Sequence, residues 1–177
     1  MKKQTLYKMT ECAALIALAV ILTFFEIEIG AFGGSINLVM IPLLVICYRQ
    51  GALYGVTAGL VFGLIKCMMS EGLGYGLPSI LLDYVLAYGA IGIAGIFKGK
   101  QKLIEVSAFL GSFARYIIHV ISGVTIYMIT VPTEVMGKMV GNPLVYSLLY
   151  NLVYMLPSTV IAIIVMSLLR YPLKRIK

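Results

Sequence analysis

Apolar residues along this chain gather into six runs, parted by short polar or glycine-rich breaks. The runs cover about residues 7–25, 36–48, 52–69, 77–97, 103–131 and 144–169. A helix rises about 1.5 Å per residue and must cross roughly 30 Å of hydrocarbon, so about 20 residues make a span. All runs but the second approach or exceed that length. The second, with about 13 residues, is too short to cross upright, which leaves it tilted, partly re-entrant or packed inside the bundle. The breaks carry helix punctuation. Asn142-Pro143 is an N-cap followed by proline in the first turn, Pro78 opens the fourth run, Pro132 closes the fifth, and Pro157 predicts a kink within the sixth. The expected fold is an all-α, six-helix membrane bundle formed as one domain over residues 1–177.

Composition agrees with this pattern. Hydrophobic residues make up 61% of the chain and charged residues 12%, with a mean hydropathy of +1.02. That leaves too little polar surface for a soluble domain, so lipid is the expected surround. The net charge of +7 raises the question of nucleic acid, but the basic residues lie in small groups between the apolar runs and form no single patch. Their distribution instead sets topology. With the N-terminus inside, the cytoplasmic segments hold Lys2, Lys3, Lys8, Arg49, Lys98, Lys100, Lys102, Arg170, Lys174, Arg175 and Lys177. The outer loops hold Lys138 beside Glu26, Glu28, Glu71 and Glu134. By the positive-inside rule both termini are cytoplasmic. Lys2, Lys3 and Lys8 before an apolar run look like a secretory signal, but the later spans make a retained first helix the better reading. Cys12, Cys47 and Cys67 fall inside apolar runs without C-x-x-C spacing, so they are expected as small fillers and not as disulfides or metal ligands. Gly51, Gly55, Gly59 and Gly63 form a small-residue ridge along the third run, suited to close helix packing.

Ionisable groups within a membrane are costly and usually face an interior or a wet cavity. Here they are Asp83, Arg115 and His119, with Lys66 near an outer end. Asp83 lies about 9 Å below the outer end of the fourth helix, and Asn151 about 12 Å below Pro143. The fifth helix runs outward, placing Arg115 near mid-membrane with His119, Gly123 and Tyr127 rising above it at four-residue intervals. Ser147, Tyr150, Asn151 and Tyr154 share a face of the sixth. Three helices thus bring a carboxylate, an imidazole, an amide and aromatic rings to one outer layer. That combination suits a small, flat, cationic ligand, because aromatic faces attract cations and Asp83 supplies countercharge. A plainer alternative pairs Asp83 with Arg115 as structural glue and leaves Asn151 to bond a neighbouring helix. An acid–base role for Asp83 and His119 in a small membrane enzyme is a third reading, though no second well-placed carboxylate or metal cluster accompanies it. The chain contains no G-x-x-x-x-G-K-[ST], H-E-x-x-H or G-x-S-x-G motif. Active transport would therefore draw its energy from a partner or an ion gradient, and neither enzyme chemistry nor a cofactor is expected.

Five segments carry a resemblance: T-E-C-A-A-L-I-A from Thr10, G-G-S-I-N-L-V-M-I-P from Gly33, L-L-D-Y-V-L-A-Y-G-A-I-G-I-A-G from Leu81, R-Y-I-I-H-V-I-S-G from Arg115 and V-Y-S-L-L-Y-N from Val145. The chain resembles the thiamine-specific S components of energy-coupling factor (ECF) transporters of bacteria. The resemblance implies six helices with a thiamine pocket near the outer surface. It implies ligand contacts from Asp83, Tyr84, Arg115, His119, Gly123, Tyr146, Ser147 and Asn151, with the loop from Gly30 to Gly34 closing over them. The family often stacks tryptophan on thiamine, and this chain has none; Tyr127 stands where one such ring is expected and Tyr75 at the entrance. An A-x-x-x-A motif, matched by Ala13 and Ala17, would contact a transmembrane coupling subunit that works with two ATPases. Another vitamin or precursor is the nearest alternative ligand.

Overall fold

The computed structural model describes residues 3–29, 34–70, 76–126 and 133–175. Helix α1 spans Lys3–Leu22 and tightens into a 3-10 turn at Thr23–Phe25. A small hairpin follows, with β1 at Ile27–Ile29 antiparallel to β2 at Gly34–Ile36 and Glu28 opposite Ser35. Helices α2 (Met40–Gln50), α3 (Ala52–Met69) and α4 (Leu77–Phe97) come next. A 3-10 turn at Gln101–Leu103 leads into α5, Ile104–Ile126. A second hairpin pairs β3, Thr133–Val135, with β4, Lys138–Val140. The chain ends in α6, Pro143–Leu168, and the short α7, Arg170–Arg175. Helices α1, α3, α4, α5 and α6 are each long and apolar enough to cross a membrane.

Several boundaries follow from the punctuation. The Asn142 side chain accepts from the backbone N–H groups of Leu144, at 2.9 Å, and Val145, at 3.2 Å, while Pro143 occupies the first turn. Gly51 separates α2 from α3 at φ +93°, a conformation that side-chain-bearing residues avoid. Helix α6 continues through Pro157. The predicted end of the fifth helix, including Tyr127 and Pro132, lies outside the described residues, as do Tyr75 and residues 30–33 of the glycine-rich loop.

The second run needs correction. It was expected over 36–48, but the helix begins at Met40, because Gly34–Ile36 pairs as a strand and Asn37 bonds back to Ser35. Of the three options for this short element, the structure adopts the one packed inside the bundle. Val39, Met40, Leu43, Leu44, Ile46 and Cys47 are fully buried. Helix α2 touches all five long helices, so the surrounding chain, rather than lipid, covers its apolar surface.

The glycine ridge of α3 interlocks with α4. A Cβ at Gly59 would strike the Tyr88 carbonyl, and one at Gly63 the Tyr84 carbonyl; conversely, Gly92 and Gly95 of α4 meet the α3 backbone at Val56 and Ala52. The two backbones are therefore in direct contact, as small-residue ridges allow. The alternation of the helices puts both hairpins at one end of the bundle, and the α2–α3 break, the α4–α5 loop and α7 at the other. At that second end Glu11 of α1 accepts from Arg49 and Gln50 of α2, Arg170 pairs with Glu105, and the Gly99 N–H donates to the Tyr48 carbonyl at 2.9 Å.

Candidate ligand-binding site

Near its hairpin end, α4 departs from regular geometry. It opens as an α-turn at Leu77–Ser79 and widens to a π-helix over Ile80–Leu86, then closes through α and 3-10 turns. Such insertions shift the register of side chains below them and occur often at functional sites. Asp83 sits in the widened stretch. Its Oδ2 accepts from Ser79 Oγ at 2.8 Å, and its Oδ1 lies 3.4 Å from His119 Nδ1 on α5. The carboxylate is thus held from its own helix and from the next. The two side chains are mostly buried, retaining 20% and 10% of their exposure.

Helix α5 meets α6 at Gly123, where a Cβ would collide with Ser147 Oγ. That close approach lets the Asn151 amide nitrogen reach the His119 carbonyl at 3.4 Å, while it also donates to the Ser147 carbonyl at 2.8 Å. Ser147 Oγ donates to the Val120 carbonyl at 3.0 Å, and Asn151 Oδ1 accepts from the Tyr154 hydroxyl. Asn151 therefore ties α6 to α5 through backbone contacts and to its own helix through Tyr154.

Aromatic rings run along α6 through this polar layer. Tyr146 stacks on Tyr150 with centroids 5.6 Å apart, Tyr150 meets Tyr154 edge-on at 5.9 Å, and Tyr154 meets His119 edge-on at 6.2 Å. The first hairpin docks on the same face. The Gly34 N–H donates to the Tyr150 hydroxyl at 3.2 Å, and the Asn37 N–H to Ser158 Oγ at 3.2 Å. At Gly34 a Cβ would overlap the Tyr154 ring, so only glycine lets the strand lie this close.

One turn deeper than His119, Arg115 is 4% exposed. Its guanidinium lies over the Tyr88 ring, 4.2 Å from the centroid, and Nη2 donates to the Tyr88 hydroxyl at 3.1 Å. Among the described residues Arg115 Nε and Nη1 and His119 Nε2 have no hydrogen-bond partner. Buried polar groups are nearly always satisfied, so these atoms need explaining.

The predicted residues Asp83, His119, Gly123, Ser147 and Asn151 thus converge, with Arg115 just below and Tyr146 in the aromatic ladder. The alternative in which Asp83 pairs with Arg115 as structural glue is not formed: Asp83 engages Ser79 and His119, and Arg115 engages Tyr88. Tyr84 points its hydroxyl elsewhere, receiving a bond from Ser70 Oγ at 3.1 Å. Ala13 and Ala17 are exposed on α1 and do not pack within the bundle. Tyr75 and Tyr127 lie outside the described residues. Sequence reasoning missed Ser79 and Tyr88. Ser79 lay within reach of a simple signal, since it precedes Asp83 by four residues; Tyr88 did not.

Residues 9–177 match the family described as thiamine transporter protein (Thia_YuaJ). Thiamine transporter ThiT of Bacillus subtilis (strain 168) is 37% identical over 187 aligned positions, covering 95% of this chain and 92% of that protein. Thiamine transporter ThiT of Lacticaseibacillus paracasei is 32% identical over 178 positions, covering 90% and 84%. Among solved structures, one titled as native-SAD phasing for ThiT from Listeria monocytogenes superposes with a TM-score of 0.83 at 24% identity, covering 96% of each chain. That last likeness carries the fold.

Proposed function

Because this chain belongs to the thiamine transporter family, we propose that the cluster around Asp83 and His119 is its thiamine site. The protein is a multi-pass membrane protein of thiamine uptake, not an enzyme. What carries the assignment of the site is the meeting of Asp83, His119 and Asn151 from three helices beside one row of tyrosines.

Thiamine joins an aminopyrimidine to a cationic thiazolium bearing a hydroxyethyl arm. The Asp83 carboxylate offers countercharge to the thiazolium, and the Tyr146–Tyr150–Tyr154 ladder offers ring faces. These rings take the place of the absent tryptophans. A proton on His119 Nδ1 serves Asp83 and leaves Nε2 as an acceptor for a ligand N–H. Ser147 and Asn151 are engaged with the backbone and with Tyr154, so their part is to hold α5 and α6 at the spacing the ligand needs. By their match to the family, Tyr84 and Tyr127 are further proposed ligand contacts, with Tyr75 at the entrance. The chain orients with both termini in the cytoplasm, following its lysine and arginine bias, and opens the site outward.

The chain carries no nucleotide-hydrolysis motif, and ATP-driven uptake then requires an ECF coupling subunit and two ATPases. Helix α1 suits the docking of that subunit, with Ala13 and Ala17 exposed on it. Titration of the detergent-purified protein with thiamine tests the site. Asp83→Asn keeps the shape and removes the charge, and should weaken binding by about 100-fold, the scale of a lost buried charge partner. Unchanged affinity in that variant would remove Asp83 from the site.

A further inference from the structure

Arg115 presents an unusual balance for an arginine buried near mid-membrane. Of its donors, one Nη2 N–H is spent on the Tyr88 hydroxyl, and no carboxylate among the described residues pairs with it. Asp83, on the neighbouring helix, is turned to Ser79 and His119. The guanidinium is instead stabilised by the face of Tyr88. That ring is itself clamped. Phe62 of α3 meets it edge-on at 4.7 Å, the Gly59 backbone lies against the Tyr88 carbonyl, and the side chain is 3% exposed. Arg115 is thereby fixed in rotation, and the rigid fork of a guanidinium then fixes where Nε and Nη1 lie.

We propose that Tyr88 is a positioning residue for thiamine recognition, holding the Arg115 guanidinium by ring and hydroxyl so that Nε–H and Nη1–H are presented to a hydrogen-bond acceptor on the ligand. The acceptor is a neutral ring nitrogen or hydroxyl oxygen of thiamine. Arg115 repels the thiazolium at the deep end, which orients the cation towards Asp83 and the acceptor-bearing end towards Arg115. The pair of residues therefore sets ligand polarity as well as affinity. This inference rests on the thiamine reading of the site.

A double-mutant cycle on the full-length, detergent-purified protein tests it, with thiamine affinity by calorimetry and ligand-free melting temperature as paired readouts. Tyr88→Phe keeps the ring and its Phe62 contact; it should weaken thiamine binding about tenfold and, because the lost bond to a buried guanidinium is also present without ligand, lower the ligand-free melting temperature as well. Tyr88→Leu should weaken it further. In an Arg115→Met background, or Arg115→Gln if the first does not fold, Tyr88→Phe should change affinity less than twofold, because the group it positions is gone. Wild-type affinity in Tyr88→Phe, or equal losses with and without Arg115, would overturn the positioning role while leaving the thiamine site intact. Failure of the wild-type protein to bind thiamine would instead overturn the reading on which the inference rests.

Discussion

Single residues in this protein are constrained mainly by how closely two backbones approach. Gly59 shows the consequence most directly. It allows α3 to rest on the Tyr88 carbonyl, and Tyr88 in turn carries Arg115. A side chain at this point must push α4 away. Gly59→Val should destabilise the protein by about 1–3 kcal/mol, the usual cost of overpacking, and should also weaken thiamine binding. A thermal-shift assay with a parallel titration checks both effects. A melting temperature equal to wild type would show that the interface yields without cost. Gly123 works the same way between α5 and α6, where the space that a Cβ would fill holds Ser147 Oγ and brings Asn151 within reach of the His119 carbonyl.

At the level of elements, the first hairpin is the piece most closely tied to the site. It is fastened to α6 through Tyr150 and Ser158, and to α3 through an ion pair between Glu26 and Lys66. Glu26 also accepts from Ser35 Oγ at 2.8 Å, and Ser35 Oγ accepts from the Asn37 amide at 3.0 Å. The partly buried ion pair is the point where this chain of contacts reaches α3. Removing one member of such a pair leaves the other desolvated and unpaired. Glu26→Gln should therefore loosen the hairpin, and thiamine should dissociate about tenfold faster, a change in off-rate typical of a truncated buried pair. Stopped-flow displacement measures this, and an unchanged off-rate would show that the Lys66 contact does not hold the hairpin over the ligand. The π-helical stretch of α4 belongs to the same scale, since it determines which α4 side chains face α5.

For the whole molecule, the governing facts are charge distribution and the burial of α2. The basic loop at Lys98–Lys102 sits at the end of the bundle opposite the hairpins, which is the arrangement the positive-inside rule requires if the hairpin end faces outward. Single cysteines introduced as Lys100→Cys and Met139→Cys, with Cys12, Cys47 and Cys67 replaced by Ala, should report this directly. An impermeant thiol reagent added to intact cells should label the hairpin position and spare the loop position. Equal labelling, or the reverse pattern, would overturn the orientation. Helix α2 is a short central element in contact with all five long helices, each of which is long and apolar enough to cross a membrane.

The sequence alone determined the membrane class, the course of five long helices and the N-cap at Asn142. These follow from hydrophobic length and helical rise, which are local properties of a chain in a bilayer. Ala52–Met69, for instance, was legible to the residue because Gly51 and polar Ser70 bound a run that is mostly apolar, with Thr57 and Lys66 within it. Only the tertiary structure decided the rest. Whether Asp83 pairs with Arg115 or with His119 depends on the π register of α4 and the close contact at Gly123, neither of which leaves a periodic trace. The three-residue strands of each hairpin are too short for an alternating pattern to register, and β2 was divided between the glycine-rich loop, which took Gly34, and the apolar run, which took Ile36. Tyr88 was invisible as a site residue because a tyrosine in an apolar helix takes its meaning from the guanidinium packed on its face. Distances along one helix can be counted from the sequence. Distances between helices are set by packing, and the site is built from those.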